Sequence, residues 1–206
     1  MLDMRRAGIQ QFLPFPDAVP SLAWPTSARS LFSAPDRYIA CTRANPNYGR
    51  PGWTRACGRR FHRGVDIAPE RVRAAGREVT VLFSDCATGR EYESREPAWI
   101  PEDVVFSVLT GRVVECNRDP EASELGCYVV IEHPGMFFSL YAHLASIEVE
   151  NGRAIDAGVR LGPMGQTSRN ADARNWMAIA PHLHFEVIAA SGGAHDPLEF
   201  LQKGLA

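Results

Sequence analysis

The segment His182-Leu183-His184-Phe185-Glu186-Val187 alternates polar and apolar side chains. A period of two separates into faces only on an extended strand. Leu183, Phe185 and Val187 then pack on one face, and His182 and His184 project together from the other. Short β-rich runs recur along the chain at Val79–Phe83, Val104–Glu115, Tyr128–Glu132, Phe137–Ala142, Ile147–Val149 and His182–Ile188, broken by Gly, Pro or Asn. Runs this short and this closely spaced predict a mainly β, antiparallel fold. Helix is sparse, with Pro197–Gln202 as a short terminal turn.

Two imidazoles side by side on a core-forming strand are costly unless something uses their nitrogens. A metal is one solution, since imidazole and carboxylate suit Zn²⁺; a paired surface face is the other. A second group, His62-Arg63-Gly64-Val65-Asp66, has H-x-x-x-D spacing, and its Gly64 argues for a loop or bulged strand rather than a helix. Alone it reads as a surface histidine and a capping aspartate sooner than as a ligand pair. The third group is Tyr141-Ala142-His143, where alternation would put Tyr141 on the face of His143, at a groove or a sheet edge. His133, before Pro134-Gly135, and His195, after Gly192-Gly193-Ala194, read as surface or turn histidines.

Composition narrows the alternatives. Hydrophobic residues make up 45% and charged residues 22% of 206 residues, ordinary for a globular chain. The net charge of −2 gives no general attraction to nucleic acid, so no nucleic-acid partner is expected. No run reaches the roughly 18–20 apolar residues of a membrane helix, and no transmembrane segment is expected. Met1–Arg6 is basic, but Pro14, Pro16 and Pro20 interrupt the adjoining stretch, and no signal-peptide core is visible. Five cysteines form no CxxC pair, which argues against a cysteine-based zinc site. A Cys116–Cys127 disulfide is geometrically possible if their two runs are neighbouring strands. Eight arginines against Asp66 and Glu70 between Arg50 and Arg77 are either a solvated face or a carboxylate-binding surface.

In their order and context the three histidine groups resemble the lysostaphin/LytM-type zinc metallopeptidases. The resemblance covers roughly residues 58–201. It rests on His62-Arg63-Gly64-Val65-Asp66-Ile67-Ala68, Gly111-Arg112-Val113-Val114, Val129–His133, Leu140-Tyr141-Ala142-His143-Leu144, the glycines 152, 158, 162 and 165, His182–Val187 and Asp196–Leu201. It implies an antiparallel β-sheet metallopeptidase domain with a glycine-punctuated β-sandwich or hybrid-barrel motif and long inserted loops. Residues 1–57 would be an N-terminal extension, and residues 58–206 the metallopeptidase domain with an insertion at about 71–101. Carried over residue by residue, the resemblance makes His62, Asp66 and His184 the ligands of one zinc per chain. It makes His143 and His182 the unliganded catalytic histidines.

The implied activity is zinc-dependent hydrolysis of peptide bonds in bacterial peptidoglycan, cross-links or stem peptides, by an endopeptidase in the periplasm, cell envelope or medium. The alternative is a non-catalytic peptidoglycan-binding or regulatory module of the same fold, against which the five filled positions stand. A biotinyl- or lipoyl-like carrier, suggested by Gly152–Gly165, needs an exposed-turn lysine, and Lys203 is the chain's sole lysine. Two departures from the family pattern, the long connections Arg71–Pro101 and Gln166–Pro181, flank the site in sequence. They are expected to wall the substrate groove, with Trp176 either touching the peptide or packing its loop.

Overall fold

The computed structural model describes residues 11–15, 21–27, 47–135, 137–169 and 179–204. The side chains of residues 82–84 and 91 are excepted, and Trp176 lies outside the described residues. A seven-stranded sheet organises the chain. Its central path runs β10 (Ala154–Ile155), β7 (Gly111–Asn117), β8 (Cys127–His133), β9 (Phe137–Leu144), β12 (Leu183–Ala189) and β13 (Ala194–His195), with every pairing antiparallel. The seventh strand, β3 (Val65–Ile67), shares one edge of β12 with β13: it pairs with the first residues of β12, and β13 with the later ones.

Three ribbons complete the architecture: β1 (Gly52–Arg55) with β2 (Arg60–His62), β4 (Val72–Asp85) with β5 (Arg90–Pro101), and β6 (Val104–Phe106) with β11 (Arg160–Pro163). The mainly β, antiparallel expectation therefore holds. Two of the anticipated runs differ. Val104–Glu115 is split by a turn into β6 and β7, and Ile147–Val149 is not a strand.

Alternation decides where the core sits. Leu183, Phe185 and Val187 pack with Val129, Ile131, Tyr141, Val65 and Ile67 on one face of the sheet. Val130, Phe138, Leu140, Ala142 and Ile188 form a smaller cluster on the other. Each large apolar side chain fully removed from water contributes about 1.5–3 kcal/mol, so a one-residue slip of β12 would exchange Leu183, Phe185 and Val187 for His184, Glu186 and Ile188. The helix α1 (Pro197–Gly204) closes the larger core with Phe200 and Leu201. Asp196 Oδ1 caps it, accepting from Leu198 N at 2.9 Å and Glu199 N at 3.2 Å, and Pro197 occupies the first turn, where its missing N–H costs nothing. Trp24, upstream of the strands, is buried in the same core.

The long connection after Asp66 is the β4–β5 hairpin. Its base is fixed by Asp103 Oδ2, which accepts from Glu70 N at 2.8 Å and Arg71 N at 2.9 Å. Its tip is fixed by a disulfide between Cys57, in the β1–β2 turn, and Cys86. Cys116 and Cys127 are free, so the bridge that their spacing allowed is not formed. In the β7–β8 register Cys116 faces Val129 rather than Cys127, and the two thiols point to different carbonyls, of Val149 and Arg118.

Candidate metal centre

The site lies on the sheet face opposite the main core, where three strands come side by side. His184 on β12 is in register with Asp66 on β3 and with Ala142 on β9. His62 arrives from β2, turned back over β3 by Arg63 and Gly64. A side chain at position 64 has no room: a Cβ there would press on His184 Cε1 and lie 2.7 Å from His184 Nε2 and 2.8 Å from Phe185 O.

Three donor atoms converge. His62 Nε2 is 3.1 Å from Asp66 Oδ1 and 3.1 Å from His184 Nδ1, and His184 Nδ1 is 3.0 Å from Asp66 Oδ1. Among the described residues this is the one cluster of three or more His, Cys, Asp or Glu side chains with metal-ligand spacing. The remaining polar atoms of each residue are held by the protein. His62 Nδ1 donates to Arg50 O at 2.8 Å, and His184 Nε2 donates to Glu186 Oε1 at 2.9 Å. Glu186 in turn faces Arg63 Nε at 3.4 Å. Asp66 Oδ2 accepts from Arg55 Nη2.

These bonds leave His62 Nε2 and His184 Nδ1 with lone pairs aimed at each other and at a carboxylate. Acceptors packed this closely and buried need a positive charge between them. A proton on His184 Nδ1 is one such charge, and the titration of the cluster shows the demand for it. Burial works against charge on His184, but its bonds to Asp66 and Glu186 outweigh it and the imidazole is pushed up to about 9. Burial also opposes ionisation of Asp66, yet His182, His62 and the bond to His184 hold its carboxyl well below the usual range. Tetrahedral zinc, with bonds of about 2.0–2.2 Å, sets its ligand atoms about 3.3 Å apart. The spacing of the triangle matches the ligand atoms of that ion, and the carboxylate behind His184 is the usual partner of a metal-binding imidazole.

Two more histidines adjoin the triangle. The His143 ring lies 4.6 Å from that of His182 and 5.9 Å from that of His184, and His182 Nε2 is 3.7 Å from Asp66 Oδ1. Each is oriented through Nδ1, which donates to Thr167 O at 2.8 Å in His143 and to Ala180 O at 2.7 Å in His182. Both Nε2 atoms therefore carry lone pairs. Burial first, then the nearby imidazoles, keep His143 well below the ordinary histidine range; burial also lowers His182, against the pull of Asp66.

His143 reaches the site through a bulge. Its φ of 63° is left-handed, and two β9 residues are spanned by a single β8 residue between the Val129↔Tyr141 and Cys127↔Leu144 pairs. Simple alternation would send His143 into the core beside Tyr141. The bulge instead swings it to the site face, and Tyr141 stays fully buried, its hydroxyl accepting from Val108 N at 2.9 Å. The groove-lining option for Tyr141 is thereby excluded.

His133 and His195 are also buried rather than superficial, and both are structural. His133 is held by Thr110 O at 2.9 Å and Ser139 Oγ at 2.6 Å. His195 is bonded to Leu13 O at 3.1 Å and stacked on Phe15. All five residues singled out in the sequence are thus brought together. Arg55, Glu186 and Thr167 were not singled out. Glu186 was legible as the next member of the His182/His184 face; Arg55 was legible only as one of the eight arginines between Arg50 and Arg77, and Thr167 had no sequence signal.

Residues 98–197, just under half of the chain, match the model of Peptidase family M23. That span starts near the end of the β4–β5 hairpin, so His62 and Asp66 precede it, Asp66 joining the centre through the β3–β12 pairing and His62 from β2. The chain is 36% identical over 84 residues to peptidoglycan DD-endopeptidase ShyA of Vibrio cholerae, covering 41% of this chain and 17% of that protein. It is 32% identical over 99 residues to stage II sporulation protein Q of Bacillus subtilis, covering 48% of this chain and 31% of that protein. The chain therefore spans less than a third of the length of these relatives. The solved catalytic domain of lysostaphin from Staphylococcus simulans is similar over 69% of this chain and 80% of that one, at 21% identity and a TM-score of 0.44. Among the described residues no helix is long and apolar enough to cross a membrane.

Proposed function

We propose that the chain is a zinc-dependent endopeptidase that hydrolyses peptide bonds of bacterial peptidoglycan, and that His62, Asp66 and His184 hold one zinc. The reading is carried by the triangle of acceptor atoms at 3.0–3.1 Å, every one backed by a protein hydrogen bond, with two further oriented imidazoles beside it. Three protein ligands leave one position open, as in catalytic rather than structural zinc sites. Zinc held there supplies a Lewis acid that polarises the scissile carbonyl and lowers the pKa of a bound water toward about 7.

The chain's own residues do the rest. One of His143 and His182, both neutral with Nε2 unprotonated, accepts a proton from the attacking water. The imidazolium so formed stabilises the developing oxyanion and returns the proton to the leaving amine. No H-E-x-x-H glutamate is present, so imidazole carries the proton. Glu186 fixes the tautomer of His184. The β4–β5 hairpin, tied at its tip to the turn beside Arg55, forms one wall of the groove. The substrate places the activity in the cell envelope or outside the cell.

The alternative, a non-catalytic module, draws on the likeness to the sporulation protein, whose name carries no peptidase. The complete set of five side chains favours the enzyme. Digestion of purified peptidoglycans of differing cross-link chemistry, read by mass spectrometry, tests the proposal. Wild-type protein is expected to release fragments with new amine termini and to contain near-stoichiometric zinc, and His184→Ala to show neither. Intact peptidoglycan with every substrate, from zinc-loaded protein, refutes the enzyme reading.

A further inference from the structure

Arg55, the last residue of β1, carries a permanent charge yet is only 8% exposed. Its guanidinium lies over the Tyr48 ring, 3.8 Å from the centroid. Nη2 contacts Asp66 Oδ2 and stands 3.0 Å from His62 Nε2. Since His62 Nδ1 donates its proton to Arg50 O, Nε2 has a single lone pair, and Arg55 is the donor facing it. Coordination of a metal by His62 needs that same lone pair.

We propose that Arg55 is a built-in competitor of the metal, a cation resident in the ligand set that must withdraw from His62 Nε2 before a divalent ion can bind. The inference rests on the zinc-centre reading above. One lone pair cannot serve a guanidinium N–H and a metal together. A guanidinium left beside a divalent ion in a buried site also repels it, because burial weakens screening.

The surroundings suit such a role. Arg55 satisfies the negative charge of Asp66, so the carboxylate and His62 are held in place whichever cation neutralises them. The Tyr48 face retains the guanidinium through a cation–π contact. The next two residues, Ala56 and Cys57, have left-handed φ values of 46° and 57°, and Cys57 is bonded to Cys86. The backbone beyond Arg55 is therefore pinned, and withdrawal is a rotation of the side chain about a fixed strand end. The consequence is a site of reduced affinity that excludes weakly bound divalent ions and admits those able to displace an internal cation.

The sign of one measurement decides between competition and support. A residue that merely orients a metal-binding carboxylate, when removed, weakens metal binding by on the order of 10–100-fold. A competitor, when removed, strengthens it. Zinc affinity of the full chain is to be measured by competition against a chromophoric chelator for wild type, Arg55→Met and Arg55→Lys, with circular dichroism confirming the fold. The expected result is zinc binding at least tenfold tighter in Arg55→Met, with Arg55→Lys between it and wild type because lysine keeps the charge and loses the planar fork. Equal or weaker binding in a folded Arg55→Met, with wild type binding one zinc, overturns the competitor role and leaves the zinc centre standing. Absence of zinc binding in wild type and both variants overturns the zinc centre, and the competitor role falls with it.

Discussion

Gly64 stands between His62 and Asp66 with its φ outside the left-handed region, so an alanine there is opposed by space alone. Its methyl would press on His184 Cε1, 2.7 Å from the Nε2 that donates to Glu186 and 2.8 Å from Phe185 O. Ordinary contact begins at 3.4 Å, so ring and methyl must part by the better part of an ångström. The Phe185 carbonyl belongs to β12, paired on both edges, and cannot yield. The His184 ring must move instead, which breaks its 3.0 Å and 3.1 Å approaches to Asp66 Oδ1 and His62 Nε2. Overpacking of this kind costs about 1–3 kcal/mol, which for a chain of this size is a fall in Tm of about 2–12 °C. Displacing one ligand of three by that amount should weaken zinc binding by on the order of 100-fold. Chelator competition measures the affinity, and melting in excess chelator isolates the packing cost from the loss of metal. A Gly64→Ala protein with wild-type zinc affinity and wild-type Tm would refute the placement of His184 against this turn.

Three further outcomes rest on the geometry. His143→Ala and His182→Ala should each retain stoichiometric zinc while peptidoglycan digestion falls on the order of 10²–10⁴-fold; near wild-type turnover in both would remove their proton-transfer role. Glu186→Gln keeps the shape but loses the carboxylate behind His184, so zinc affinity should fall about 10–100-fold; an unchanged affinity in chelator competition would show that Glu186 does not support the ligand. Cys86→Ser releases the tip of a ribbon that, among the described residues, pairs with no other strand, and a disulfide closing 29 residues contributes about 2–4 kcal/mol. Limited proteolysis should then cut first between residues 72 and 101, and a cleavage pattern like wild type would mean the ribbon is held by other contacts.

The parts of the site that were legible in the sequence are those governed by strict alternation. The order of His182, Leu183, His184 and Phe185 assigns both faces of β12 without any tertiary information, because period two has one structural meaning. Gly64 likewise signalled that His62 and Asp66 meet through a bend. Alternation failed at Tyr141 and His143, where one left-handed residue reverses the faces and nothing in Leu140-Tyr141-Ala142-His143 announces it. Arg55 was hidden for another reason. Arginines are mostly solvated, and the ones that pair with a buried carboxylate are distinguished by partners far away in sequence. The charged stretch Arg71–Pro101 resolves into long paired strands, because cross-strand pairing tolerates charges on a ribbon with two open faces.

The pairing of Asp66 with His184 joins residues 118 apart along the chain, with His143 entering from a third strand. Contacts of such range form late in folding, since closing a long loop costs entropy before any contact rewards it. During synthesis, β3 waits unpaired on this edge until β12 has been made. A partly synthesised chain therefore holds His62 and Asp66 without the partner that completes them. The cluster of His62, Asp66 and His184 arises in the same event that closes the sheet, and an unfinished chain lacks it.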